Sequence, residues 1–145
     1  MFGKKKAKKL TLDEMPVLKE AIEILNKRED RLNLGACVVS NNILTGAGKL
    51  RWCYRHEPCR NADVDNGWEF YSDVDTEKFL KSPENMSVIS FDQMAIIEPS
   101  VVKIFDLPAG CDLALIEDGD NRYYVDADTY APIVRYCPNV EGKLF

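Results

Sequence analysis

Two runs of β-forming residues, DLALIE (112–117) and RYYVD (122–126), flank Asp118-Gly119-Asp120-Asn121. A short Asp, Gly and Asn turn between such runs is a strong local signal for a β-hairpin. The chain is therefore committed to antiparallel sheet, and an isolated hairpin needs other elements to cover its apolar side.

The cover is legible upstream. In DEMPVLKEAIEILNKRED, Met15, Leu18, Ile22 and Leu25 recur at helical spacing, which predicts an amphipathic helix from about 13 to 29. Asp13 is the expected N-cap, because it leaves Pro16 in the first turn, where a missing N–H costs nothing; a Thr11 cap would push Pro16 into the bonded interior. Lys19, Glu23 and Lys27 then share the wet face.

From residue 36 the texture turns to short β-like runs, ACVVS and KLRWCYR, joined by NNILTGAG, where Gly46 and Gly48 supply turn geometry. WEFYS reads as another strand, and MSVISF and MAII as extended. DTEKFLK (75–81) predicts a short helix stopped by Ser82-Pro83, and PSVVKIFD, from Pro99, predicts another ending before Leu107-Pro108. DADTYAPIVRY fits a last short helix or a last strand. The expected fold is α+β, a mostly antiparallel β-sheet with an N-terminal amphipathic helix and short helices packed on it. Residues 1–9 are expected to be a flexible basic tail and 10–145 a single domain.

Composition narrows the class of function. With 46% hydrophobic and 30% charged residues the chain resembles an ordinary folded globule rather than a disordered one. No apolar run approaches the roughly 20 residues that span a bilayer, and the basic start MFGKKKAKK has no apolar stretch behind it. The five cysteines, with no repeating spacing, suit reduced thiols and a cytoplasmic location. Five lysines fall within the first nine residues; without them 14 basic residues face 24 acidic ones, so the body carries -10. A body so acidic repels phosphate backbones and attracts basic partners, so neither a nucleic acid nor a membrane is an expected partner.

Sites of chemistry are sparse. Cys53, His56 and Cys59 form C-x2-H-x2-C, but structural zinc takes four ligands and Cys37, Cys111 and Cys137 supply no second pair. A thiol nucleophile paired with His56, the lone histidine, would also require an orienting group and an oxyanion site. Asn61, Asp63 and Asp65 alternate as in a calcium loop, yet the glycine and glutamate of an EF-hand fall out of register. GAG at 46–48 lacks the form of a phosphate loop. No metal and no cofactor are expected.

What remains is an acidic, aromatic surface. Between residues 57 and 77 stand Glu57, Asp63, Asp65, Glu69, Asp73, Asp75 and Glu77, with Arg60 the only base. Such a balance steers a basic partner, and an aromatic side chain such as Trp68 or Tyr71 provides an anchor. Trp68 and Phe70, on one strand face, also fit a core role. The candidate contact residues are Glu57, Asp63, Asp65, Trp68, Tyr71, Asp73 and Asp75.

The residues Tyr54-Arg55-His56-Glu57-Pro58, then Asp65-Asn66-Gly67-Trp68-Glu69-Phe70, then Ser72, Asp73 and Asp75, resemble the immunity protein 33 family of bacterial polymorphic toxin systems. The resemblance spans about 36–118. Asn66 stands where that family usually has serine, and His56 where it has an acid. The resemblance implies a non-enzymatic cytoplasmic protein that binds and neutralises a cognate toxin, and the acidic body makes a basic toxin, such as a nuclease, the expected one. It marks Tyr54, Arg55, Pro58, Gly67 and Phe70 as motif residues. Pairing of Arg55 with an acid such as Asp65 would fix the loop, leaving Glu57, Asp63, Asp73 and Asp75 to face outward. The alternatives are a housekeeping or regulatory domain without a toxin partner, and a thiol or metal-dependent enzyme built on Cys53, His56 and Cys59.

Overall fold

The hairpin forms where its turn chemistry places it. In the computed structural model, which describes residues 9–58 and 64–134, strands β5 (Asp112–Asp118) and β6 (Asn121–Asp126) pair antiparallel down to Asp118↔Asn121. Gly119 takes φ +62 in the turn, a conformation that suits glycine. The other strands are β1 (Ala36–Ser40), β2 (Leu50–Arg55), β3 (Asp65–Ser72), β4 (Met86–Ser90) and β7 (Pro132–Val134). They form one seven-stranded sheet in the order β4-β1-β3-β2-β5-β6-β7. The β1–β3 pair is parallel and every other neighbouring pair is antiparallel. The α+β class is thus as the sequence predicts, and β7 resolves the last ambiguous segment as a strand. The first eight residues, 59–63 and 135–145 lie outside the described residues, and with them Asp63, Asn61, Cys59, Arg60, Cys137 and most of the lysine tail.

Helix α1 (Pro16–Asn26) buries Leu18, Ala21 and Leu25 and leaves Lys19, Glu23 and Lys27 exposed. Pro16 is its first residue, as expected, but Asp13 is not the N-cap. A separate 3-10 turn, Leu12–Glu14, precedes the helix. There Glu14 accepts from the N–H and hydroxyl of Thr11 at 3.0 and 3.1 Å, and Asp13 instead receives Lys19 Nζ at 2.8 Å. The extra turn reconciles a Thr11 start with Pro16 at a position that needs no donor.

Two further helices replace expected non-helical segments. NNILT is helix α2 (Asn41–Thr45), capped by Ser40, whose Oγ accepts Asn42 N–H at 3.2 Å, and ended by Gly46 at φ +87. MAII, expected to be extended, lies in α4 (Phe91–Ile97). Its capping box is reciprocal: Gln93 N–H donates to Ser90 Oγ and Ser90 N–H to Gln93 Oε1, both at 3.0 Å. Strands β1 and β4 thus each end in a serine that turns the chain straight into a helix. The predicted helix in DTEKFLK is α3 (Glu77–Leu80), capped by Thr76, and the one after Pro99 is a 3-10 turn, Pro99–Lys103.

These elements cover one side of the sheet. Met15 and Leu18 of the first segment, Ile43, Leu44, Phe91, Met94, Val101 and Ile104 pack with Cys37, Val39, Cys53, Trp68, Phe70, Leu113, Leu115 and Tyr124 from the strands. Trp68 stacks on Phe70, ring centroids 5.9 Å apart, and Phe70, Phe91 and Phe105 continue the aromatic chain. The link from α1 to β1 is held by the buried carboxylate of Asp92, which accepts the N–H of Leu32 at 2.7 Å and of Asn33 at 3.0 Å. Replacing Asp92 with Ala strands both donors, so urea unfolding of the Asp92→Ala chain should show a loss of about 2–4 kcal/mol.

Candidate functional site

The motif region is built around a kink. Gly67 sits inside β3 at φ +86, where an added Cβ would run into the carbonyl oxygen of His56. Asn66 and Gly67 are therefore a bend within the strand and not a turn ahead of it. Asn66 is buried and locks the bend by donating to Leu34 O and accepting Trp68 N–H, both at 2.9 Å. His56 N–H donates to Gly67 O at 2.8 Å, joining the end of β2 to the bend.

Arg55 holds the inner side of this joint. Its Nε donates to Asn66 O at 3.0 Å and its Nη1 to Phe105 O and Leu107 O, each at 2.7 Å. Its guanidinium also lies over the rings of Trp68 and Phe105, at 5.5 and 5.2 Å. The expected Arg55–Asp65 pair is replaced by these three carbonyl contacts, because Arg55 points to the core side. Asp65 pairs with His56 and accepts Gly67 N–H at 2.9 Å. Trp68 is fully buried, with Nε1 donating to Phe105 O at 3.2 Å; Phe70 is fully buried beside it. Of the two roles open to Trp68, it fills the core one, and its ring is not available on the surface.

The opposite side of the same strands carries the polar half of the motif. His56 bridges two carboxylates, Nδ1 to Glu69 at 2.6 Å and Nε2 to Asp65 at 2.9 Å, and Tyr71 Oη donates to the other oxygen of Glu69. Partial burial works against a charged imidazole, but the hydrogen bonds and negative charges of Asp65 and Glu69 outweigh it and raise the His56 pKa. Burial and the neighbouring Glu69 raise that of the Tyr71 phenol. Asp65, His56, Glu69 and Tyr71 thus form one connected chain on the open face of the sheet.

Ladder register extends this face into a row. Val88, Val38, Glu69, Tyr54 and Asp112 are successive cross-strand neighbours on β4, β1, β3, β2 and β5. The adjacent row holds Tyr71, Trp52 and Ala114. Tyr54 is 38% exposed, Trp52 36% and Val88 72%. Trp52 and Asp112 were not among the expected contact residues. The period-two spacing of Trp52 and Tyr54 is the signal that pairs them on one face, but the partners across the ladder follow only from register.

Of the remaining candidates, Glu57 and Pro58 are exposed just beyond β2. Asp73 is exposed and accepts Lys49 N–H at 2.9 Å. Asp75 departs from the outward orientation expected of it. Its carboxylate accepts Ser40 Oγ and Asn42 Nδ2 at 2.8 Å and Ser72 Oγ at 2.5 Å, tying the end of β3 to the start of α2.

Cys53 lies in the core while His56 lies across the sheet with both ring nitrogens engaged, so the two do not converge on a common atom. Cys37, Cys53 and Cys111 are free thiols, and desolvation pushes each pKa up, opposite to what a nucleophile needs. Among the described residues no group of three or more His, Cys, Asp or Glu side chains is arranged to hold a metal. An open depression of about 770 Å³ runs between β4 and residues 31–36, but Asp92 and Gln93 in its lining already bond backbone N–H groups. Among the described residues no helix is long and apolar enough to cross a membrane.

Residues 37–125, from β1 to β6, match the family profile described as the Immunity protein Imm33 domain. The chain belongs to this family of immunity proteins. The matched region runs past residue 118, so the β5–β6 turn and all of β6 but Asp126 lie within it. No curated protein and no solved structure matches the chain.

His56 makes stability depend on pH. Its folded-state pKa lies above the unfolded value of about 6.5, so the stabilisation is complete below that pH and is lost as pH rises through the folded value. Urea midpoints at pH 6 and 7.5 should therefore fall more for the wild type than for His56→Gln. Gly67→Ala, strained at φ +86, should lose more than about 1 kcal/mol in the same assay.

Proposed function

We propose that this protein is a non-enzymatic immunity protein that binds and neutralises a cognate bacterial toxin in the cytoplasm. Membership of the Imm33 family across most of the chain carries the reading. Inside the motif, Arg55, Gly67, Trp68 and Phe70 serve the fold, which leaves the acidic exterior as the part that meets the toxin. The body charge of -10 without the five N-terminal lysines favours a basic partner. A nuclease fits that description, since a cleft that binds nucleic acid is positively charged.

On this reading Glu57 and Asp73, both exposed, belong to the steering rim, together with Asp63. Asp65 and Asp75 support the rim through the hydrogen bonds that position it. Co-expression with the cognate toxin should restore growth to cells that the toxin alone arrests. The Glu57→Lys, Asp73→Lys double variant should associate about 10-fold more slowly at low salt, with a smaller difference at high salt. Failure of the wild-type chain to bind the toxin or protect cells would remove the proposal and favour a housekeeping domain.

A further inference from the structure

Charge alone steers a partner but does not hold it, and the acids of the rim are exposed and screened. An anchor needs an aromatic surface that a partner can desolvate. The core cluster lies on one side of the sheet; the other side presents Tyr54 and Trp52 part-exposed, while Ala114 and Val125, next in the row of Trp52, are buried. Tyr54 is directly opposite Glu69 on β3 and directly opposite Asp112 on β5, so its ring stands between two carboxylates. Directly paired side chains in a sheet are roughly 5 Å apart at Cβ, within reach of one incoming group.

On the β5 side of this ring the charge is acidic. Burial, then the negative charges of Asp128 and Asp126, raise the pKa of Asp112, as expected where acids crowd together. Across the ring, Glu69 is fixed by His56 and Tyr71. The neighbouring Trp52 already carries a cation on its face: the Arg51 guanidinium lies 5.1 Å from the ring centroid. That contact is the chain's own example of what a basic side chain does on this surface.

We infer that the part-exposed patch around Tyr54, on the side of the sheet opposite the core, flanked by Glu69 and Asp112 and bordered by Trp52, is the anchoring surface for the toxin, and that it receives an arginine or lysine side chain of the toxin. The inference rests on the immunity reading and adds to it the place and chemistry of the contact. The rim governs how fast the complex forms, and the Tyr54 surface governs how long it lasts.

The test uses the full chain and the cognate toxin that the growth-rescue assay identifies, in a non-toxic variant. Tyr54→Ala should weaken binding by at least about 10-fold, mainly through faster dissociation. Asp112→Lys, which keeps the rings and reverses one flanking charge, should do likewise. The exposed-helix variant Glu23→Ala should bind as the wild type does. Thermal melts establish that each variant is folded, and Trp52, the exposed one of the two tryptophans, should shift its emission to the blue in the complex. Wild-type binding that neither variant weakens would overturn the anchor while leaving the immunity reading intact. No binding by the wild type would overturn both. Dimerisation of the free chain abolished by Tyr54→Ala would assign the face to a second copy. A red shift of Trp52 emission on removing residues 135–145, without toxin, would assign it to the chain's own end. Either result would overturn the inference.

Discussion

The guanidinium of Arg55 lies between two aromatic rings and three backbone carbonyls from two distant parts of the chain, Asn66 in one and Phe105 and Leu107 in the other. A planar, permanently charged fork can satisfy all three while its face packs on Trp68 and Phe105; a lysine ammonium could not. The bend at Gly67 makes this possible, because only a residue without Cβ lets the carbonyl of His56 approach so closely. Trp68 completes the joint from within by bonding Phe105 O. Strand β2, the start of β3 and residues 105–107 are therefore held in one place by one side chain and its neighbours.

That joint determines what the surface looks like. With Arg55 and Trp68 on the core side, strand alternation places Tyr54 and His56 on the other, next to Glu69 and Asp65. The imidazole then prevents two carboxylates from repelling each other, and its two hydrogen bonds set both side chains in position. Acidic residues near the tryptophan are thus of two kinds. Asp65, Glu69 and Asp75 are tied into hydrogen-bond networks, while Glu57 and Asp73 stand in solvent. The tryptophan itself supports the surface from behind and takes no part in its exterior.

The strands were legible because their runs are bounded by turn residues, and α1 because its apolar positions follow one helical stripe. The missed helices show a different competition. The Ser90-x-x-Gln93 capping signal was present, but the short apolar MAII segment fits a strand as well as a helix, and the cap decides between them. NNILT is followed by Gly46, which serves as a helix stop rather than as part of a loop. In the site, Tyr54 and the acids were visible as residue types. The pairing of Asp65 with His56, and the inward turn of Asp75, were not, because each partner comes from a neighbouring strand or helix.

The α+β class, the hairpin near the end, the amphipathic first helix, the acidic body and the family can all be read from the amino-acid order. These depend on local periodicity, turn chemistry, composition and motif, all of which are properties of short stretches. Which half of the motif faces inward and which faces solvent, and the row formed by Glu69, Tyr54 and Asp112, emerge with the assembled sheet. Such a row is set by ladder register between strands distant in the chain, and a shift of one residue would carry every one of its side chains to the other face of the sheet.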